Sequence, residues 1–534
     1  MKKKTFVYLF ILVFVAGLFV RLYRLDLRPM HHDEANQAYK FGELLEKGEY
    51  RYDPADHHGP TLYYLSLPLA WLSGQKSYPE LTENTLRGVT VFFGWLLLLI
   101  LLAAGRYLKT SEKFWAAAFL AVAPQLIYFS RFYIQETLFV LFSLALVIFL
   151  WRFVNKPDYR EALGLGLFAG LLYATKETSL IVLAASVFSL VLVWLLSAQK
   201  NKRHLNLTSE TANKELRTGI KRGLLPFFFS ILIFLAISFL FYSSFFQHSQ
   251  GFLDSFRAFS NYTEKAVEAG WHHHGFFYYF SLLFYQKGGP RSPVFSEIPF
   301  LVLALVGTVV SFSRLSRKYA ENFRSYLAIF ALSTALVYSA IPYKTPWNLL
   351  VFLAGFLILA GIGFVYLLEI IKNQPAKIIL TAAVILWVGW QSYLINYYLH
   401  SDPNNPYAYA QTSLDLRRLI ARVEELSQVA EEGPDMFIRV ISSPEETWPL
   451  PWYLRKYNQV GYWTASEQVD SLEPAKIIIM TIGEASKRSQ NELDAYLIEY
   501  FSLRPDVLLM LGVRNDLWEG YRLRKASAFP SGKS

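Results

Sequence analysis

The chain has 534 residues, of which 53% are hydrophobic and 17% aromatic, with a net charge of +10 and no cysteine. The apolar residues lie in long blocks and the Lys and Arg residues in short clusters between them, as in a membrane protein with basic cytoplasmic loops. This distribution argues against a nucleic-acid-binding protein. The lack of cysteine excludes disulfides, thiolate metal sites and a cysteine nucleophile.

Apolar runs of about 17 to 25 residues are long enough to cross a bilayer as helices. The sequence predicts about eleven such spans within residues 1–399, which we therefore expect to form a helical transmembrane domain. The first span has no small-residue cleavage site after it, so we expect it to be retained rather than removed as a signal peptide. The spans are centred near Phe14, Leu97, Leu120, Leu144, Leu167, Phe188, Phe234, Val306, Leu332, Phe356 and Val384.

The connections between the predicted spans alternate in charge. Every second connection is basic, including the polar segment 200–222, and basic loops remain in the cytoplasm. We therefore expect a multi-pass protein of the cell membrane with a cytoplasmic N-terminus. The extracytoplasmic side then receives a first outer loop, 26–85, another outer loop, 247–293, and the tail, 400–534.

Two histidines and two carboxylates stand together in the first outer loop, in the stretch HHDE that ends at Glu34. Apolar residues recur after it at helical spacing, which explains Asp33 as a helix N-cap and Glu34 as a first-turn residue favoured by the helix dipole. The alternative is that these acids are catalytic. Ionisable residues on the same side favour this alternative, because a cap needs only one carboxylate. They are Asp56, His57, His58, Arg131, Glu136, Lys176 and Glu177.

Acids and bases at the ends of membrane spans tend to mark active sites. A carboxylate, from Asp33, Glu34 or Glu136, can take a proton from a hydroxyl group. Arg131 and Lys176 can stabilise a phosphate as it leaves. The simpler explanation for each base is a long side chain that extends from a helix end toward the headgroups, and the sequence leaves both explanations open.

The histidines raise the question of a bound metal. No cofactor is certain from the sequence, but a divalent ion held by imidazoles together with Asp33 or Asp56 is one interpretation. Adjacent histidines rarely both reach one metal, and we favour an aromatic belt at the membrane interface for the run WHHHGFFYYF. The histidines concerned are His31, His32, His57, His58 and His272 to His274.

The tail contains apolar runs that are too short to cross a membrane, namely MFIRVI, KIIIMTI and VLLMLGV. They predict buried strands of a small soluble α/β domain, with an amphipathic helix at 414–432 ahead of them. The stretch LPWYLRKYN places Trp452 and Arg455 together. This pair suits a lid or acceptor platform, because aromatic rings stack on sugars and guanidinium groups bind phosphate or carboxylate. An ordinary buried aromatic cluster is the alternative.

Several stretches resemble one class of membrane enzymes. RLYRLDLRPMHHDEA, HHGPTLYYLSLPLAWL and SRFYIQET resemble segments of the GT-C glycosyltransferases, the class of protein O-mannosyltransferases and aminoarabinose transferases. YKTPWNLL and LPWYLRKYNQVGYW resemble signatures of a subgroup identified as flippase-activity-associated membrane proteins. One departure is that Gly59 and Pro60 stand where many relatives have two prolines.

The resemblance implies a GT-C fold and a sugar donor linked to polyprenyl phosphate. Taken with the residues, it predicts inverting transfer to a hydroxyl acceptor on a glycan, lipid or protein, on the extracytoplasmic side. Asp33 is then the general base, and Glu34 and Glu136 position the acceptor and the sugar. The predicted contacts to phosphate and substrate are Arg131, Lys176, Lys344, His57, His58, Trp452 and Arg455.

Two other functions remain open from the sequence. A non-catalytic protein that handles lipid-linked glycans, or a flippase partner, would keep the same fold and lipid groove without needing Asp33. An ion-coupled transporter is less favoured, because the ionisable residues lie in outer loops and at span ends instead of at mid-membrane in broken helices.

Overall fold

A computed structural model of the protein describes residues 3–55, 58–202, 209–265, 270 and 272–528. By its internal contacts the chain divides into two compact units. The first comprises Met1–Leu25, Lys47–Gly74 and Asn84–Leu399, and the second comprises Asp26–Glu46, Gln75–Glu83 and His400–Ser534. The second unit therefore takes in two segments of the first outer loop, which the sequence assigns to the transmembrane domain, in addition to the tail.

Helices make up most of the chain before the tail. In chain order they are α1 (Lys3–Leu22), α2 (His32–Lys47), α3 (Thr61–Leu72), α4 (Glu83–Ala103), α5 (Thr110–Val122), α6 (Pro124–Ser130), α7 (Glu136–Asn155), α8 (Tyr159–Tyr173), α9 (Ser179–Lys202), α10 (Ser209–Tyr242), α11 (Gln250–Lys265), α12 (Tyr278–Phe284), α13 (Ile298–Ser313), α14 (Phe323–Ala340), α15 (Leu350–Ile370) and α16 (Gln374–Tyr393). A π-helical turn, Leu394–Tyr398, follows α16.

Every predicted span centre lies in one of these helices. Among the described residues, eight helices are long and apolar enough to cross a membrane, or nine if α5 and α6 count as one bent span. The predicted helical multi-pass architecture is therefore confirmed. Helices α8 and α13 are shorter, with 15 and 16 residues, so the total of eleven spans stays a prediction.

The α5–α6 bend is caused by a proline. Helix α5 ends at Val122, α6 begins at Pro124, and their axes meet at 58°. Proline has no N–H for the preceding turn and its ring clashes with that turn, so it ends one helix and suits the first position of the next. All seven residues of α6 are buried. The turn after it carries Arg131 and leads into Glu136 at the start of α7.

Helix α15 is the most enclosed span, with 94% of its apolar window buried. Two glycines permit its close contact with α13. A Cβ atom on Gly307 would lie 1.9 Å from the carbonyl oxygen of Leu359, and one on Gly363 would lie 2.1 Å from that of Leu303. Small residues let neighbouring membrane helices approach to backbone distance, so larger side chains at these two positions would force the helices apart.

The tail contains a five-stranded sheet in the order β2-β1-β3-β5-β4. The pairs β2–β1 and β1–β3 are parallel, and β3–β5 and β5–β4 are antiparallel. The three predicted apolar runs form β1, β3 and β5, so the α/β tail is confirmed. Its elements are α17 (Asp415–Ser427), β1 (Ile438–Ile441), α18 (Pro444–Thr447), α19 (Leu450–Tyr453), β2 (Val460–Trp463), β3 (Ile477–Thr481), α20 (Ile482–Ala485), α21 (Gln490–Leu493), β4 (Tyr496–Arg504), β5 (Val507–Arg514) and α22 (Asn515–Ala528).

Apolar side chains pack on both faces of this sheet. Leu419 and Val423 of the amphipathic helix α17 join Ile477 in one core, whereas Ile478 and Met480 join the core on the other face. Successive residues of a strand point to opposite faces. Strand β3 is therefore buried along its whole length, as is usual for a strand that is covered on both sides.

Candidate active site

Helix α2 begins with a cap formed by His31. The Nδ1 atom of this histidine accepts a hydrogen bond from the backbone N–H of Asp33 at 3.0 Å, and Nε2 donates to the carbonyl of Tyr409 at 3.0 Å. Burial lowers the pKa of His31, and the charges of Asp33 and Glu34 oppose that shift. A neutral ring with its proton on Nε2 satisfies both contacts, because Nδ1 is then an acceptor.

Glu34 completes this cap. Its Oε2 atom accepts the backbone N–H of His31 at 3.1 Å, and the residue is fully buried. A cap side chain that bonds forward, with an acid three residues later that bonds back, has the arrangement of a capping box. The sequence predicts the N-cap at Asp33 and hence a helix from Glu34, but α2 begins two residues earlier, at His32. That shift moves the cap to His31 and gives Glu34 a structural task.

Asp33 keeps a partly exposed carboxylate. Its side chain is 38% exposed, and the ion pair that the structure describes for it reaches Nδ1 of His31 at 3.7 Å. That contact is weak, because Nδ1 already accepts a hydrogen bond and the ring is neutral. The position of Asp33 in the first turn favours the helix, but its carboxylate takes no part in the capping box. The side chain is thus available to a ligand.

A buried ion pair joins the start of α7 to the turn between α8 and α9 in the first unit. Glu136 accepts a hydrogen bond from Nζ of Lys176 at 2.5 Å, and each side chain is 6% exposed. Lys176 also donates to Oδ1 of Asn348 at 3.1 Å. The predicted acid Glu136 and the predicted phosphate contact Lys176 are therefore partners of each other. Asn348 was not predicted as a site residue, although it lies within the quoted stretch YKTPWNLL.

The chain after His58 packs tightly against the turn between α8 and α9. The backbone N–H of Thr61 donates to the carbonyl of Ala174 at 3.3 Å, and the hydroxyls of Thr61 and Thr175 are 2.8 Å apart. A Cβ atom on Gly59 would lie 2.2 Å from the carbonyl oxygen of Ala174. This contact gives a physical reason for the glycine that stands where many relatives have proline.

That packing brings His58 to Glu177. The Nδ1 atom of His58 lies 2.8 Å from Oε2 of Glu177, and the hydroxyl of Tyr52 donates to Oε1 at 3.3 Å. Burial raises the pKa of Glu177, but the charge and hydrogen bond of His58 outweigh it, so the pKa lies below its usual range. The imidazole is about a quarter exposed. The predicted contact His57 lies outside the described residues.

Arg131 forms hydrogen bonds with backbone carbonyls at the end of α1. Its guanidinium donates to the carbonyl of Arg24 at 2.7 Å and to that of Val20 at 3.5 Å. It also lies 4.8 Å from the ring centre of Tyr397. A cation beside the last carbonyls of a helix is favoured by the helix dipole. Arg131 is only 6% exposed, so it is not a side chain that extends from a helix end toward the headgroups.

Lys344 is buried between backbone carbonyls. Its Nζ atom donates to the carbonyl of His274 at 2.9 Å and to that of Ile341 at 2.5 Å. Burial lowers the pKa of Lys344. Two of its three ammonium donors are thus used inside the protein.

Trp452 and Arg455 belong to a packed cluster of the second unit. Trp452 is fully buried, and its indole N–H donates to Glu83 at 3.0 Å. Arg455 lies over the indole at 3.6 Å from the ring centre and donates to the carbonyl of Leu81 at 2.7 Å. No indole face is left for a sugar, so these contacts favour the buried-cluster alternative over the platform at this position.

The predicted site residues are divided between the two units. The second unit contains Asp33, Glu34, Trp452 and Arg455, and the first contains Arg131, Glu136, Lys176, His58 and Lys344. Within the first unit, the sequence did not indicate Tyr52 or Tyr397 as partners of Glu177 and Arg131. No local pattern identifies such tyrosines, since they are far from their partners along the chain.

A family model described as dolichyl-phosphate-mannose-protein mannosyltransferase matches residues 83–209, which is less than half of the chain. This segment includes Arg131, Glu136 and Lys176. No curated protein matches the chain in sequence.

Solved structures resemble the chain over nearly its whole length. ArnT from Cupriavidus metallidurans bound to undecaprenyl phosphate has a TM-score of 0.57 at 15% identity, and the match covers 97% of this chain and 99% of that one. AglB from Archaeoglobus fulgidus, an oligosaccharyltransferase in complex with an inhibitory peptide and a dolichol-phosphate, has a TM-score of 0.54 at 10% identity, covering 97% and 77%. The chain has the GT-C fold. The resemblance seen in the sequence motifs is confirmed at this level.

Another structure with the GT-C fold bears on the question of metal. The Archaeoglobus fulgidus oligosaccharyltransferase in a complex with zinc and sulfate has a TM-score of 0.55 at 12% identity, covering 96% of this chain and 76% of that one. Within the described part of this chain, no group of three His, Asp or Glu side chains is close enough to hold a metal ion. His31 and His58 are engaged by Tyr409 and Glu177. The described residues therefore do not fit a metal, and we assign no step to one.

Proposed function

We propose that the protein transfers a sugar from a polyprenyl-phosphate donor to a hydroxyl acceptor, on the extracytoplasmic side of the membrane and with inversion at the anomeric carbon. The observation that carries this proposal is the partly exposed carboxylate of Asp33 in a chain with the GT-C fold. The donor class is supported by the family description and by the undecaprenyl phosphate and dolichol-phosphate bound to the two neighbours.

Asp33 is proposed as the general base. Its carboxylate takes the proton of the acceptor hydroxyl as that oxygen bonds to the anomeric carbon. The bond between the anomeric carbon and the phosphate oxygen breaks, and polyprenyl phosphate leaves with the electron pair. Support comes from the division of tasks in HHDE, because His31 and Glu34 form the cap and leave the carboxylate of Asp33 accessible.

The departing phosphate is proposed to meet Lys176 and Lys344, with Arg131 adding positive charge. Each lysine uses two ammonium donors within the protein, so a third can reach a phosphate oxygen. Glu136 then fixes the ammonium of Lys176 in place, which is a positioning role. The same view makes His58 a substrate contact whose ring is oriented by Glu177.

A transfer assay tests this proposal. The purified full chain is incubated with radiolabelled undecaprenyl- or dolichyl-phosphate mannose and a panel of hydroxyl acceptors. Asp33→Asn should lower turnover by about a hundredfold to ten-thousandfold with little change in unfolding temperature. Glu34→Gln is the matched control, because its amide oxygen can still accept the N–H of His31 while the charge is removed.

The two variants separate the alternatives. Near-normal turnover by Asp33→Asn, or loss of turnover only in Glu34→Gln, would remove Asp33 from the reaction. A wild-type protein that binds the donor and transfers nothing to any acceptor would favour the non-catalytic, lipid-handling function.

Orientation is proposed from the alternating loop charges and has a simple test. The chain has no cysteine, so one introduced thiol reports its own side of the membrane. Asp506→Cys, in the exposed turn between β4 and β5, should react with an impermeant maleimide on intact cells. Lys318→Cys, in a basic connection, should react only after permeabilisation. The reverse pattern would invert the topology.

A further inference from the structure

The surface beside Asp33 contains aromatic side chains from two segments of the second unit. Trp448 follows α18 and is half-buried. Its ring centre lies 6.0 Å from that of Tyr39 in an edge-to-face arrangement and 6.4 Å from that of His32. Tyr39 is 41% exposed. An aromatic surface of this kind is therefore accessible next to the partly exposed carboxylate of Asp33.

The spacing of residues along α2 produces this surface. His32, Asn36 and Tyr39 recur at intervals of three to four residues, so they share one face of the helix. The adjoining face carries the fully buried Ala35 and Ala38. The half-buried and exposed residues of α2 thus form a continuous strip that starts beside Asp33.

Polar groups surround the aromatic rings. Arg504 donates to the carbonyl of Glu445 at 3.1 Å, and the charges of these two residues shift the pKa of His32 in opposite directions. Asp33, His32 and Asn36 supply carboxylate, imidazole and amide groups, which bond to hydroxyls. Aromatic faces with a few placed polar groups are typical of specific small-ligand sites.

We propose that Trp448, Tyr39 and His32 form the platform that binds the acceptor, and that this acceptor is a glycan presenting a pyranose ring. The C–H face of such a ring packs on Trp448, and its hydroxyls bond to His32 and Asn36. Asp33 then receives the proton of the hydroxyl that reacts. This inference rests on the proposed transferase function, and it moves the predicted platform from the buried Trp452 to the accessible Trp448.

Binding of simple sugars tests the platform without turnover. Saturation-transfer-difference NMR is recorded on the full chain in nanodiscs with mannotriose, maltotriose and cellotriose, and with mannitol as an acyclic polyol that has no ring face. Ring C–H protons of at least one trisaccharide should receive saturation, and mannitol should receive none. Trp448→Leu keeps an apolar side chain without an aromatic face, and it should weaken binding roughly tenfold.

Trp518→Leu is the matched control. Trp518 is also half-buried in the second unit, where it packs with Tyr521 at 5.3 Å between ring centres, so its loss should leave sugar binding unchanged. If Trp448→Leu fails to fold, Tyr39→Leu replaces it, with a loss expected in the same direction. The platform is overturned if no trisaccharide binds, if mannitol binds equally well, or if the Trp448 and Trp518 variants behave alike.

The platform and the transferase function fail in different ways. If trisaccharide binding depends on Trp448 but the protein has no transfer activity, the platform is supported and the proposed transferase function is wrong. Transfer with an acceptor KM that Trp448→Leu does not change supports the enzyme and overturns the platform. If both are right, Trp448→Leu raises the acceptor KM about tenfold while the donor KM stays constant.

Discussion

The starts of α2 and α7 both carry acidic side chains, but these side chains differ in burial and in their partners. At α2, two adjacent acids have different environments. Glu34 is buried and accepts a hydrogen bond in the helix cap, whereas the side chain of Asp33 is 38% exposed. At α7, Glu136 is buried against Lys176 at 2.5 Å. The acidic character of a segment therefore does not show which of its acids is accessible to a substrate. Accessibility depends on whether a partner inside the protein already binds the carboxylate.

The largest effect on stability is expected at the buried pair. Glu136→Met leaves the ammonium of Lys176 without its counter-charge in a buried site, which should cost about 3–5 kcal/mol of unfolding free energy. Adding Lys176→Met should recover most of this loss, because the charge is then absent. Chemical unfolding in mixed micelles, followed by tryptophan fluorescence, measures both variants.

The chain offers a matched exposed pair as control. Lys109 and Glu369 lie 2.7 Å apart with side chains 43% and 44% exposed, so Glu369→Met should cost less than about 1 kcal/mol. Equal costs for Glu136→Met and Glu369→Met would mean that burial does not distinguish the two pairs.

A smaller effect should separate the two neighbours in α2. Glu34→Ala leaves the backbone N–H of His31 without its acceptor in a buried site, which should cost about 1–3 kcal/mol. Asp33→Ala should cost less than about 1 kcal/mol, since it loses only a favourable interaction with the helix dipole. Thermal unfolding of both variants tests this order. A larger loss of stability for Asp33→Ala would mean that Asp33 is the N-cap, and it would contradict the assignment of the cap to His31 and Glu34.

The smallest effect concerns pH and His31. The folded state lowers the pKa of this residue through burial, whereas the unfolded chain titrates near about 6.5. The unfolded state therefore binds more protons at low pH. The contribution of His31 to stability is fully present above about pH 6.5 and decreases as the pH falls below that value, by at most about 1.4 kcal/mol per pH unit.

His31→Asn isolates this contribution. Asparagine is a good N-cap that does not titrate, so the difference between wild type and variant should shrink as the pH is lowered from about 7.5 to about 5.5. Hydrogen exchange in α2 provides the measurement. The charge of His31 also lowers the pKa of His32, so both proteins are compared in a His32→Asn background. A difference that is constant with pH would remove His31 as the source.

Much of the architecture follows from local pattern. Each predicted span centre lies in a helix, and the runs MFIRVI, KIIIMTI and VLLMLGV form strands, because long apolar runs and short buried ones depend only on neighbours in the chain. Strands β2 and β4 were not predicted. β4 is only partly buried along its length, so its sequence, YLIEYFSLR, lacks the continuous apolar signal of its neighbours.

The site divides in the same way between sequence and tertiary structure. The sequence alone determined which ionisable residues stand in the segments between apolar runs, because charge and hydropathy are properties of each segment. Only the tertiary structure decided their partners. Glu136 is paired with Lys176, forty residues away, and His58 with Glu177, more than a hundred residues away. His31 forms the cap because α2 starts at His32. Packing selects such contacts, since an ionisable group that becomes buried must be paired or hydrogen-bonded whatever its distance along the chain.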